Sequence, residues 1–477
     1  VDGDYDPPSE SLPDNHCYPG WYNGHGLDIG RLNKGYWLPV KPGWYYGCGE
    51  FGSEGLDPVS VMRKYYPKSW LPQNPEEEKN WSPNQIIGAQ TGNFHYFFYE
   101  TPDTLEGWVK ESHKHQAFVT RIMTEAFRRD AKMATFAIHL FIDAFPSGWM
   151  KTIMDVERRP KPAYFEYRNS LEPLIVSLRS DRFKYFAGED VLVEAWVCND
   201  SVEVPENACL KIMVKTGDKV LCASSQKANI PSCSSGFQGF TKFAAPNVTQ
   251  REGVSILAAI CDANGEVLND TQMQVEVLPR EKEEEKINAA VIGEKDAAVL
   301  KLLTDVNANV IKLHNGITPD VAIVEDFEAY KSHEEAIIKS VEDGMTLIFI
   351  NLKPGEYEIT GQTVKVKSCS MLPLHFVSRN TGHPVVEGFK PDDFKHWYSE
   401  KEGYITPLLK NTFTVEGFNP ILTSANTNDK GEWVLALAAA EKRVGKGRIM
   451  ICQVDILGRC RTNPIADRFV KRMISYN

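Results

Sequence analysis

Thr135-Phe136-Ala137-Ile138-His139-Leu140-Phe141-Ile142 is an almost unbroken apolar run, and it follows a long segment of helical character, residues 105–129. In the longer segment Phe118, Ile122 and Ala126 recur at the i, i+3, i+4 spacing of one helix face. The run after it predicts a strand buried on both faces, as in a parallel sheet covered by helices. Working outward, Trp44-Tyr45-Tyr46-Gly47-Cys48-Gly49 reads as an aromatic strand ending in glycines. Asp57-Pro58 then opens a helix over 59–66, with proline at its first position. Strand, helix, helix, buried strand is α/β logic.

The pattern changes after Pro173. Residues 175–178, 190–198, 210–215, 220–223, 255–263 and 272–278 are short β-rich segments separated by turn residues, the pattern of a β-sandwich. Arg280-Glu281-Lys282-Glu283-Glu284-Glu285-Lys286 is a solvated charge run and reads as a linker. Strands and helices alternate again beyond it. Strands are expected at 289–292, 321–324, 346–351 and 448–454, and helices at 297–306, 332–342 and 464–475. That alternation predicts a doubly wound, flavodoxin-like α/β domain with a parallel sheet.

Composition narrows the function classes. The 477 residues are 42% hydrophobic and 25% charged, with a net charge of −11. This is ordinary for a globular protein and argues against general nucleic-acid or anionic-membrane binding. The longest apolar run, residues 345–352, is far short of the roughly 20 residues of a membrane span and reads as a buried strand. Ten cysteines are scattered with no C-x-x-C pair. Zinc spacing is absent, and free thiols are expected rather than a disulfide framework. The N-terminus carries no signal pattern and no initiator methionine, so the expectation is a chain that starts inside a longer product; compartment is not specified.

Aromatic residues concentrate at one end. Residues 1–150 hold 26 of the 51 Phe, Trp and Tyr, and seven of the ten Trp. A Trp-rich core accounts for this as readily as a sugar site, where apolar sugar faces stack on rings. The chemistry-bearing candidate in this region is Glu50. It lies in Gly47-Cys48-Gly49-Glu50-Phe51-Gly52-Ser53-Glu54-Gly55, at the C-terminal end of a strand, where α/β barrels carry their active sites. The glycines allow a tight backbone path and close substrate approach. A carboxylate there can serve as nucleophile or general base.

Two stretches carry a resemblance. One is Gly49-Glu50-Phe51-Gly52, with the helices and apolar strand that follow it. The other is Leu140-Phe141-Ile142-Asp143-Ala144-Phe145-Pro146-Ser147-Gly148-Trp149, then Asp155, then Arg159-Pro160-Lys161-Pro162-Ala163-Tyr164-Phe165. Together they resemble the end of the catalytic barrel of glycoside hydrolase family 2, nearest its β-mannosidase and exo-glucosaminidase-like members. Glu172-Pro173-Leu174-Ile175-Val176-Ser177 resembles the entry to that family's following sandwich. The implied fold is mixed and multidomain. Residues 1–170 would be the C-terminal part of a (β/α)8 TIM barrel, 171–279 an immunoglobulin-like β-sandwich, 280–287 the charged linker, and 288–477 a flavodoxin-like domain. A stretch of about 170 residues is too short for a barrel, which usually takes about 250.

The resemblance implies a retaining β-glycosidase acting through a covalent glycosyl-enzyme. Glu50 matches the nucleophile, and Tyr18 the tyrosine that hydrogen-bonds and positions it. His16, Trp21, His139, Asp143 and Trp149 are implied as substrate-binding residues, with Trp37 and Trp44 as further stacking candidates. His139 stands where mannosidase-like members have a tryptophan. The family's acid/base is the Glu of an Asn-Glu pair, and this chain has no such dipeptide. It would come from an upstream segment or an N-terminal half-barrel polypeptide. Glu54, Asp57, Glu100 and Asp143 are the substitutes within the chain. No cofactor or metal is implied, and the only ligand is a carbohydrate. The last domain also resembles the glutamine-amidotransferase-like modules of some glycosidases. It lacks a cysteine at the strand-to-helix turn after residues 347–351 and is expected to be non-catalytic, serving packing or homo-oligomer contacts. The reading of a different class is a non-catalytic carbohydrate-binding or structural subunit with Glu50 idle.

Overall fold

The structure is a computed structural model that describes residues 14–20, 28–35, 45–88, 95, 97–146, 148–280, 286–293, 297–311, 319–369 and 374–476. The chain is mixed α/β with several sheets and divides into two compact units, residues 1–95 with 101–279 and residues 96–100 with 280–477.

The first unit opens with a parallel three-stranded sheet, β1 (Asp14–Cys17), β2 (Tyr46–Phe51) and β3 (Met133–Ile138), in the order β1-β2-β3. Helices α1 (Ile29–Lys34), α2 (Val59–Tyr65), α3 (Pro75–Lys79) and α4 (Leu105–Arg129) lie between the strands, and α5 (Pro162–Ser170) follows them. Pro58 is the N-cap of α2 rather than its first residue; its extended backbone (ψ 143°) ends the preceding loop. Helix α4 spans the predicted 105–129, but its buried face differs from the predicted stripe. Trp108, Val119, Met123 and Phe127 are buried together with the polar Ser112, His115, Gln116, Thr120 and Thr124, whereas Phe118 and Ile122 are only partly buried. Phe118 instead meets Phe183 of the following domain, ring centroids 6.1 Å apart. Phe51 anchors the core between helix and sheet, 5.1 Å from Phe127 and 5.9 Å from Phe136.

The apolar run 135–142 is a strand only as far as Ile138, and its two faces are not both buried. Ala134, Thr135 and Ala137 are exposed, as are Phe141 and Ile142 beyond the strand. The reason is topological. Among the described residues β1 and β3 are the two edges of the sheet, so neither has a second neighbour to cover it.

Eight strands follow in the same unit. Strands β4 (Leu174–Arg179), β6 (Asp190–Asn199) and β9 (Ser234–Ala244) form one antiparallel sheet, ordered β4-β6-β9. Strands β5 (Lys184–Phe186), β7 (Cys209–Thr216), β8 (Lys219–Lys227), β10 (Glu252–Cys261) and β11 (Val267–Leu278) form the other, ordered β5-β11-β10-β7-β8. Alternate residues face inward, as a period of two requires. Val191, Val193, Ala195 and Val197 of one sheet share a core with Leu210, Ile212, Val214, Val254, Ile256, Ala258 and Ile260 of the other. Strands β5 and β9 were not anticipated; β9 (Ser-Ser-Gly-Phe-Gln-Gly-Phe-Thr-Lys-Phe-Ala) has two glycines and few β-branched residues.

The second unit is built on one mixed sheet. Strands β12 (Asn288–Ile292), β13 (Asn309–Val310), β14 (Val321–Val324), β15 (Thr346–Ile350) and, late in the chain, β23 (Gly447–Cys452) are parallel and ordered β13-β12-β14-β15-β23. Helices α6 (Ala297–Asp305), α7 (Phe327–Lys331), α8 (Glu334–Glu342) and α9 (Pro464–Ser475) accompany them. The predicted sheet was parallel throughout, and the observed one is not. Strands β16 (Gly355–Ile359), β17 (Gln362–Ser368), β20 (Asn411–Thr414), β21 (Asn419–Thr427) and β22 (Trp433–Val444) extend it antiparallel beyond β23, while β18 (Tyr398–Ser399) and β19 (Tyr404–Ile405) pair separately. No described helix is long and apolar enough to cross a membrane.

Candidate active site around Glu50

Register in the first sheet decides which side chains meet. Strands β1 and β2 are parallel with His16 opposite Glu50 and Cys17 opposite Phe51, and Phe51 is opposite Ile138 of β3. His16, Glu50 and His139 therefore stand at the C-terminal ends of three neighbouring strands. Tyr18, two residues past His16, points the same way.

Contacts converge on the Glu50 carboxylate, whose side chain is 37% exposed. The Tyr18 hydroxyl donates to Oε2 at 2.7 Å. His16 Nδ1 is 3.4 Å from the same oxygen, and His139 Nδ1 is 3.9 Å from Oε1. His139 meets Tyr18 edge to face at 6.3 Å and Trp149 at 5.7 Å. Lys151 Nζ lies 5.1 Å over the Trp149 ring. Burial holds the His139 imidazole below its ordinary value; the Glu50 charge opposes this, while Lys151 and His16 add to it. His139 is thus neutral at neutral pH, with one ring nitrogen to donate and one to accept.

The backbone around this cluster leaves little room. His139 N donates to Phe51 O at 2.8 Å. A Cβ on Gly52, whose φ is +156°, would sit 2.7 Å from His139 O, and one on Gly55 would sit 2.3 Å from Gln116 Oε1. Gln116 in turn donates to Ser53 O at 2.9 Å and Thr152 O at 3.1 Å, and Ser112 Oγ accepts from Leu56 N at 3.1 Å. These contacts explain two of the polar residues on the buried face of α4: Ser112 and Gln116 satisfy backbone groups of the loop after Glu50 and of Thr152.

A second, deeper cluster was not read from the sequence. Lys161 and Asp57 are buried and 3.2 Å apart. Lys161 also donates to Gly55 O at 2.8 Å and lies 3.4 Å from Thr152 Oγ1. Tyr66 donates to Asp57 Oδ2 at 2.7 Å, and Thr152 to Asp143 Oδ2 at 3.1 Å. Burial, with the neighbouring Asp57 charge, pushes the Asp143 carboxyl up to about 6. Burial and the Lys161 cation push His113, 2.6 Å from Leu56 O, down to about 4. The available signals were Lys161 in the Arg-Pro-Lys stretch and His113 and Gln116 in a helix otherwise read for apolar spacing.

The structure thus brings Tyr18, His16 and His139 to Glu50, with Trp149 against His139. Asp143 sits apart, hydrogen-bonded to Thr152. Trp21, Trp37 and Trp44 lie outside the described residues. Of the other carboxylates weighed as acid/base, Asp57 is paired with Lys161, Glu54 is buried 3.8 Å from His95, and Glu100 accepts from Ser378 and from Arg379 N in the second unit. Among the described residues no group of three or more His, Cys, Asp and Glu could hold a metal ion.

In the second unit the turn after β15 carries Asn351 at φ +50°, a left-handed backbone position. Burial pushes the nearby thiols Cys369 and Cys452 up to about 12, so both are protonated at neutral pH.

No family model and no curated relative matches the chain. Solved structures do. A β-D-mannosidase from Dictyoglomus thermophilum is 17% identical over 60% of this chain and 32% of its own, with a TM-score of 0.39. An exo-chitosanase from Amycolatopsis orientalis, in complex with PNP-β-D-glucosamine, is 11% identical over 60% of this chain and 31% of its own, with a TM-score of 0.37. A β-glucuronidase from glycoside hydrolase family 2 is 14% identical over 39% and 22%, with a TM-score of 0.19. The chain spans about a third of the length of the first two.

Proposed function

We propose that this chain is the C-terminal portion of a retaining β-glycosidase of the family 2 type, with Glu50 as nucleophile. The observation that carries the reading is the Tyr18 hydroxyl bonded to Glu50 at 2.7 Å, at the C-terminal end of parallel strands. In such chemistry one carboxylate attacks the anomeric carbon to form a glycosyl-enzyme, and a second protonates the leaving oxygen and later activates water. Tyr18 holds the attacking oxygen and takes up its changing charge. His16 and His139 offer donors and acceptors to sugar hydroxyls, and the half-exposed edge of Trp149 walls the pocket.

The acid/base comes from outside the described residues, on an upstream segment or an N-terminal half-barrel polypeptide. The unpaired outer edges of β1 and β3 support this. So do Phe141 and Phe145, 47% and 71% exposed beside β3, which further barrel strands and helices would cover. The second unit is a non-catalytic, amidotransferase-like module for packing or self-association. Its five parallel strands have the 2-1-3-4-5 order of flavodoxin-like sheets. Asn351 stands at the turn where amide chemistry would need a thiol.

The test is a 2-deoxy-2-fluoro glycoside with a dinitrophenolate leaving group, which departs without protonation and so does not depend on the acid/base. Intact mass and peptide mapping should find the sugar on Glu50, and Glu50→Gln should abolish the adduct. An adduct on another residue, or none in the assembled protein, refutes the assignment. The reading of an idle, sugar-binding subunit is favoured by the lack of an Asn-Glu pair in this sequence. It predicts sugar binding with no adduct.

A further inference from the structure

Strands β7 and β10 are antiparallel neighbours, and their register sets Cys209, the first residue of β7, directly opposite Cys261, the last of β10. Residues opposed in this way project to the same face, with Cα atoms about 4.5–5.5 Å apart, inside the roughly 4.4–6.8 Å window that a disulfide spans. The face is the outer one. Leu210 and Ile260, the adjacent residues, point into the sandwich core, so a link between the thiols would leave that core untouched. Cys261 also sits where the register of β10 with β11 shifts, an irregularity that raises local twist. Strand ends at such a shift can adjust to the closer approach a cross-strand bond needs.

The two thiols differ in access. Cys209 is partly exposed, while Cys261 is 1% exposed. Around Cys209 the same face carries Lys227, its register partner on β8, and Lys211, two residues along β7; both are exposed. These cations favour the approach of an anionic reagent.

We propose that Cys209 and Cys261 form a thiol-disulfide exchange site that takes an anionic low-molecular-weight disulfide of the glutathione kind. The Cys209 thiolate attacks one sulfur of the small disulfide, forming a mixed disulfide and expelling one small thiolate. The Cys261 thiolate then attacks the Cys209 sulfur, closing the cross-strand bond and expelling the second. The protein loses two electrons and two protons, and the small disulfide is reduced to two thiols. The product ties β7 to β10 at their shared end.

The full chain is reduced, then incubated with oxidised glutathione, alkylated and mapped by mass spectrometry. The expected product is a Cys209–Cys261 linked peptide, two hydrogens lighter than the sum and cleaved by dithiothreitol. Cys261→Ser should trap a glutathione adduct on Cys209. Cys209→Ser should leave Cys261 as the free thiol. Exposed Cys233 reports in every sample that the reagent is active. Recovery of Cys209 and Cys261 as alkylated thiols from the wild-type chain overturns the proposal, as does either residue linked to a different cysteine. A Cys261 adduct in the Cys209→Ser variant overturns the assigned order of attack.

Discussion

Replacing Asp143 by Asn should stabilise the protein, with a gain that appears above about pH 4 and is complete a little above pH 6. The carboxyl is 7% exposed, and burial together with the Asp57 charge raises it to about 6, against an ordinary value near 3.9. A carboxyl raised on folding is favoured in the folded state while protonated. Its contribution is full below about pH 4 and is lost as pH rises through 6. About two pH units at 1.36 kcal/mol each amount to a cost of about 3 kcal/mol at pH 8. Halving this for screening by solvent and relaxing neighbours leaves about 1.5 kcal/mol. An asparagine amide still accepts the Thr152 hydroxyl bond and never ionises. The melting point of Asp143→Asn should therefore equal that of the wild type at pH 4 and exceed it by roughly 3–6 °C at pH 8. Near-ultraviolet circular dichroism at pH 4, 5, 6, 7 and 8 measures the difference, which should rise between about pH 4 and pH 6, with a midpoint near pH 5, and then level off. A difference independent of pH, or a variant less stable at pH 8, refutes the burial argument. A direct role for Asp143 in holding sugar predicts instead weaker ligand binding with no gain in stability.

His113 should act in the opposite direction over the same range. Lowered to about 4, it favours the folded state while neutral, and its contribution falls away as pH drops from about 6.5 to 4. His113→Gln should flatten that loss, read in the same pH series. Lys161→Met should cost about 3–5 kcal/mol by stranding the Asp57 carboxylate. Adding Asp57→Asn should recover part of that loss, as urea unfolding would report. Tyr18→Phe removes one hydrogen bond to a charged acceptor, worth about 1.5–3 kcal/mol. Labelling of Glu50 by the fluorinated glycoside should slow by about 10–100-fold with little change in reagent affinity.

What the sequence made legible divides along a physical line. Helix α4 was bounded correctly because Thr104 caps it and its length is set by local propensity, yet its buried face was misplaced. The cause is visible: Ser112, Gln116 and Thr124 are buried because they bond to backbone, whether the loop after Glu50 or the preceding helical turn. An apolar template scores those positions as solvent-facing. Strand β3 fails for the reverse reason. Its apolar side chains predict two covered faces, but what covers a strand depends on neighbours remote in sequence, and in the described chain one edge is bare. The antiparallel strands between β15 and β23 went unread because the alternation on either side of them is complete without them. Glu50 was legible because glycines flank it, although what requires Gly52 is remote in sequence: a Cβ there would sit 2.7 Å from His139 O.

The buried Lys161 cluster bears directly on the Glu50 site. Lys161 reaches Gly55 O, five residues after Glu50, and Thr152, three residues after Trp149. One buried cation thus spaces the strand-end loop that carries the carboxylate against the segment that carries the aromatic wall. Asp57, 3.2 Å away, balances its charge. If that spacing is what aligns Glu50 with a sugar, Lys161→Arg should keep the fold better than Lys161→Met and still slow labelling of Glu50, because guanidinium geometry cannot meet Asp57, Gly55 O and Thr152 from one nitrogen. Unchanged labelling in a folded Lys161→Arg protein would show that the two segments hold their places without it.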